Sequence, residues 1–181
     1  MRILLILAAA ACFAQTAEEL DSVARVATVM VDGDVCQRIV TRRAMAVMLD
    51  PKPRDKWLAS DDYDVNQDAF IQTKKTLARL AKLVAFPADV NLWMPLPGKP
   101  GRIHIAVRGV NETSQFWPWG ALTQDTPAPM QKVLDSGERV TAREKPGIIS
   151  VLAPVRNSLG DIIGLVEVVA RTKPNAHENV K

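Results

Sequence analysis

Few side chains in this 181-residue chain have the type and spacing to do chemistry, and the clearest set lies between Arg102 and Trp119. Alternation over 102–109 sets His104, Ala106 and Arg108 against Ile103, Ile105 and Val107, so an imidazole and a guanidinium share one strand face. The stretch that follows, Val110–Met130, holds Phe116-Trp117-Pro118-Trp119-Gly120, dense in rings for a chain that is 5% aromatic. An arginine fork gives a carboxylate two parallel hydrogen bonds, and indole faces hold an apolar or cationic group. Plainer roles stand beside this one. His104 can be a satisfied core histidine, Arg108 can pair with Glu167 on a nearby strand, and the tryptophans can pin a loop.

Other chemistry is thin. His177 sits in a polar tail, Ser150 and Ser158 lack an identifiable base, and the chain has no HExxH, CxxC, CxxCH or glycine-rich phosphate loop. No metal, no cofactor and no enzymatic activity are therefore expected. Asp62-Tyr63-Asp64-Val65-Asn66-Gln67-Asp68 alternates oxygen ligands like the front of a calcium loop, but Gln67 replaces the turn glycine and Thr73 the bidentate glutamate. Asn66 as a helix N-cap is the better reading. The formal charge is +3 with signs interspersed, which argues against a nucleic-acid partner, since phosphate neutralisation needs a clustered basic face.

The elements that must position these groups begin after a targeting segment. Arg2, the apolar run Ile3–Ala11 and Cys12-Phe13-Ala14 read as a signal peptide over 1–14, with an uncleaved anchor or lipidation at Cys12 as alternatives. Cleavage leaves Cys36 alone, so no internal disulfide is expected and Cys36 reads as a small buried hydrophobe. Residues 15–86 form a helical region. Thr16 with Glu19 makes a capping box ahead of Leu20, Val23, Ala27 and Met30. Asp34 with Gln37 caps a second segment that carries Cys36, Ile39, Val40, Val47 and Leu49 and stops before Pro51; the competing reading makes Val26–Val31 a strand. A helix from Asn66 to about Val84 places Phe70, Thr73, Leu77, Leu80 and Val84 inward, leaves Lys74, Lys75, Arg79 and Lys82 on a solvated face, and ends at Phe86-Pro87.

Strands are expected at 89–96, 102–109 and 138–144, with a short helix over 127–136 stopped by Gly137. Gly147–Val155 and Asp161–Arg171 flank the turn Arg156-Asn157-Ser158-Leu159-Gly160 as a hairpin, too apolar for a strand with a wet face and so covered on both sides. The run APVRNSLGDIIGLVEV resembles the last hairpin of the Cache domains, PAS-like extracytoplasmic sensor modules, and the likeness extends back to about Trp93. It implies an α+β fold with N-terminal helices packed on a five-stranded antiparallel PAS-like sheet, a single-Cache domain over 87–172 and a tail at 173–181.

The resemblance further implies a small molecule held on one sheet face under the loop between the second and third strands. The groups available there are Trp93, His104, Arg108, Trp117 and Trp119. The function expected is an exported, periplasmic or secreted small-molecule sensor whose ligand is a carboxylate. With the sequence ending at Lys181, it would signal in trans to a membrane receptor or kinase, with a homodimer through the N-terminal helices as a further expectation. A periplasmic scaffold without a ligand, or a noncovalent cofactor carrier or enzyme, are the alternatives. The exported protein should begin at Gln15; intact mass of secreted material checks this, and a species retaining Met1–Ala14 would refute cleavage.

Overall fold

Two apolar faces on one sheet decide the architecture. The computed structural model describes residues 2–50, 64–118 and 121–172, with side chains from residue 16 onward. In order, the elements are α1 (Arg2–Met30), α2 (Gly33–Cys36), α3 (Arg42–Leu49), α4 (Gln67–Leu80) with a 3-10 turn at Ala81–Leu83, β1 (Ala88–Pro95) and β2 (Arg102–Val107). They continue with β3 (Gln124–Asp125), α5 (Ala128–Ser136), β4 (Val140–Ala142), β5 (Ile148–Arg156) and β6 (Ile162–Arg171). The strands form one six-stranded antiparallel sheet in the order β3-β2-β1-β6-β5-β4. β6 lies between β1 and β5. The strand missing from the sequence reading is β3, two residues pairing Arg102–Asp125 and Ile103–Gln124, too short to carry a periodic signal.

One face is covered by α1, α2 and α4. Leu20, Val23, Ala24 and Ala27 form the inward stripe of α1 against β5 and β6, continued by Val31 just past its end, and Ala69, Leu77 and Leu80 of α4 join them over Val90, Leu92, Val166 and Val168. The opposite face packs Trp93, Ile105, Leu152 and Leu165 under α5, through Met130 and Val133, and under Trp117. α5 ends where Gly137 takes the left-handed conformation, φ 70°, which costs glycine nothing. The β5–β6 turn is closed by Asn157, whose side-chain oxygen accepts from Leu159 N (3.0 Å) and Asp161 N (2.8 Å).

Three readings of the helical region change. α1 is one helix through Thr16, so no capping box forms there; the Ala/Leu-rich run before it has high helix propensity and supplies no boundary. The same helix contains Val26–Met30, which settles against a strand. Asp32 rather than Asp34 caps α2, accepting from Val35 N at 3.1 Å, while Asp34 reaches the β5–β6 turn and accepts from Ser158 N at 3.0 Å. The second segment also breaks in the middle, at a bridge between Val40 and Val65, and Thr41 restarts it as α3 by accepting from Ala44 N. Asn66 caps α4 as expected, accepting from Ala69 N at 3.2 Å; Asp62 and Tyr63 of the calcium-like stretch lie outside the described residues.

Cys36 is fully buried and desolvation pushes its thiol up to about 12, so it stays protonated as a small core hydrophobe. No helix among the described residues is long and apolar enough to cross a membrane. Val166, fully buried on the central strand, measures the covered sheet. Val166→Asp should cost about 3–5 kcal/mol in urea unfolding, whereas Val29→Asp at an 82% exposed position should change little.

Candidate functional site

The face of the sheet opposite α1 carries a charge at its centre. Glu167 projects from β6 between Asn91 of β1 and Leu152 of β5, and it is completely buried. Its Oε2 accepts from Asn91 Nδ2 (3.2 Å), Trp93 Nε1 (3.1 Å) and Ser114 Oγ (2.6 Å). Its Oε1 accepts from Gln115 N (2.8 Å) and Ser150 Oγ (2.9 Å). A buried carboxylate needs such a shell, because burial without donors costs several kcal/mol.

Two of those donors, Ser114 and Gln115, belong to the long loop after β2. Asp89 holds the same loop, accepting from Asn111 N (3.0 Å) and Thr113 N (2.9 Å). Asn91 grips it from both ends, accepting from Gly109 N (2.7 Å) and donating to Thr113 O (2.8 Å). Gln115 ties the far side to β4 by donating to Ala142 O at 2.6 Å. A side chain at Gly109 would start 2.5 Å from the Asp89 carboxylate, so the close approach requires glycine.

The five residues singled out from the sequence are not brought together as one set. Trp93 is buried, and its indole N–H is committed to Glu167. His104 and Arg108 do not share a face. Leu92 pairs with Val107 but Trp93 with Ile105, so Ala106 is an extra residue in β2, a bulge that shifts the alternation. His104 therefore lies opposite Met94 on the face of the helices, and Ile103 and Ile105 turn to the Trp93 side. Arg108 does come together with Trp117: its guanidinium carbon sits 5.0 Å from the ring centroid. Arg108 also pairs with Glu112, Nη1 to Oε1 3.1 Å, and not with Glu167. Trp119 lies outside the described residues.

What the sequence reading missed is the polar set around Glu167: Asp89, Asn91, Ser114, Gln115 and Ser150. The signal was present. A lone acid inside the apolar run of a strand read as covered on both sides must be buried, and buried acids gather donors.

A second feature adjoins Arg108. A cleft of about 540 Å³ opens between α4 with its 3-10 turn and the start of β1, with Arg108 and Gly109 on one wall. Lys74 stands in it and donates its ammonium to the Arg108 carbonyl. Among the described residues no group of three His, Cys, Asp or Glu side chains could hold a metal ion.

Two variants probe the buried polar groups. Glu167→Gln turns an acceptor into a donor facing donors and should cost about 3 kcal/mol or more in denaturant unfolding, with a shift in indole emission through Trp93. His104 has its pKa pulled down to about 4 by burial and is neutral in the fold, whereas an unfolded histidine titrates near ~6.5. Protonation thus favours the unfolded chain, and the contribution of His104, about 3 kcal/mol, is full above ~6.5 and is lost as pH falls towards 4. The fall in urea midpoint between pH 7 and pH 4.5 should shrink in His104→Gln.

No protein-family model matches the chain, and no curated protein matches it. Among solved structures it is similar to the nlh2 GAF domain of A. aeolicus in an inactive state, at 8% identity and TM-score 0.34 over 78% of this chain and 80% of that one. It is also similar to the ligand-binding domain of the Pseudomonas aeruginosa PAO1 amino-acid chemoreceptor PctC in complex with GABA, at 15% identity and TM-score 0.35. That match covers 87% of this chain and 64% of the chemoreceptor domain, just under two thirds of its length. Similarities this weak carry no weight for the fold or the function.

Proposed function

We propose that this chain is an exported PAS-like sensor module that binds a small carboxylate at Arg108. Support for the PAS-like reading comes from the strand order, in which the last strand lies centrally between the first and the penultimate one. Support for the ligand comes chiefly from one observation, the Arg108 guanidinium laid over Trp117 and already holding a carboxylate, that of Glu112. Arg108 is a formed anion seat: its side chain is only 10% exposed, so its charge is poorly screened by water. Glu112 occupies the seat from the loop surface, with its side chain 44% exposed and its backbone at φ 53°, a conformation disfavoured for glutamate. An incoming carboxylate would exchange with Glu112, release that backbone and free the loop segment next to it. Asp89 holds the loop on either side of Glu112, through the amides of Asn111 and Thr113, so the change stays local to Glu112.

The experiment is a thermal-shift and calorimetric screen of small carboxylates such as acetate, succinate and glutamate against matched amides and alcohols. A carboxylate should raise the melting temperature by mass action. Arg108→Lys keeps the charge but loses the fork and should weaken binding about tenfold or more. Glu112→Gln removes the resident competitor and should tighten it. The reading is falsified if carboxylates bind no better than their amides, or if Arg108→Lys lowers stability and leaves affinity unchanged.

A further inference from the structure

The cleft beside α4 has a composition that the Arg108 seat does not explain. Its walls are apolar: Leu77 and Ala81 from the helix and its 3-10 turn, Val84, Phe86 and Pro87 from the connection to β1, and Val90 from the strand. Its volume of about 540 Å³ is within the range of small-molecule sites, roughly 300–1,000 Å³. One half-buried ammonium lines it. Lys74 is half-buried, and its ammonium rests on the neutral carbonyl of Arg108 rather than on a carboxylate. An ammonium has three N–H donors, so a ligand can be accepted without displacing that bond. Lys82 also lines it and is solvent-exposed.

We propose that this cleft binds a small monoanion with an apolar body, an alkyl or aryl carboxylate, with its head group on Lys74 and its body along Leu77, Ala81, Val84 and Phe86. The body is called for by the apolar walls, which gain from losing water. A single charge matches the one half-buried ammonium, that of Lys74, and Asp89 on the same lining disfavours a dianion. The carboxylate of Asp89 is itself engaged by the loop amides of Asn111 and Thr113. The site is separate from the Arg108 seat, because the guanidinium points to Trp117 and Glu112 and only the main chain of Arg108 bonds to Lys74.

Calorimetry on the whole chain with octanoate as the probe tests this, with acetate supplying the head group alone and 1-octanol the body alone. Octanoate should bind at least about tenfold more tightly than either. Lys74→Met should lower octanoate affinity about tenfold and leave 1-octanol unchanged, and Lys74→Arg should restore octanoate. Ala78→Phe, at a half-buried position on the lining, should weaken octanoate and 1-octanol together by filling the space for the body. In an Arg108→Lys background, where the other carboxylate seat is weakened, tight octanoate binding should persist and remain sensitive to Lys74→Met. Equal binding of octanoate and 1-octanol would overturn the proposal. So would octanoate affinity indifferent to Lys74→Met or Ala78→Phe, or lost in Arg108→Lys, which would place the probe on the Arg108 seat.

Discussion

Glu167 is the constraint on which the rest of one face depends. A carboxylate at the middle of a dry sheet has no water to turn to, so each of its oxygens must find donors from the chain. The neighbouring strands supply Asn91, Trp93 and Ser150, and these do not complete the shell. The remaining donors come from Ser114 and Gln115, which brings the loop after β2 down onto the sheet. Once the loop is there, Trp117 falls into the core formed by Trp93, Leu152 and Leu165, and Arg108 finds a ring beneath its guanidinium. The space against Trp93 is therefore occupied by the loop itself, and Arg108 lies at its outer side, paired with Glu112.

A single extra residue then divides the chemistry between faces. Without the bulge at Ala106, His104 and Arg108 would project together and a buried imidazole would neighbour a guanidinium. With it, His104 is sealed on the helix face as a neutral ring while Arg108 emerges at the strand end beside the loop. The bulge also lets Ile103 and Ile105 fill the face that Trp93 occupies, so both cores stay apolar around their polar centres.

α4 joins the two halves of this arrangement. Its Leu77 and Leu80 belong to the core over the sheet, and one turn away Lys74 bonds to the main chain of Arg108. The helix thus braces the point where β2 gives way to the loop. At the other end of the sheet α2 does similar work. A side chain at Gly33 would collide with the carbonyl of Arg156, and Asp34 accepts from the turn at Ser158, so the N-terminal helices hold the β5–β6 hairpin at its tip.

Periodicity and local chemistry carried most of the fold. The apolar runs 147–155 and 161–171, the Asn157 turn, the Asn66 cap and the Gly137 stop all act within a few residues, so their signals are local and they form as the sequence indicates. The double-sided apolarity of Asp161–Arg171 indicated a covered central strand, while its place between β1 and β5 was what the resemblance to PAS-like sheets implied. The site was less legible because its geometry depends on contacts far apart in sequence. The bulge at Ala106 exists only in register with Leu92 and Trp93, and no property of 102–109 alone reveals it. Glu167 was visible as an acid in an apolar run, but its donors lie as far away as Asn91, and Arg108 meets Glu112 on a loop that the same carboxylate holds at Ser114 and Gln115. Local residue types determined the strands and helices, and the burial of one charge decided which side chains meet.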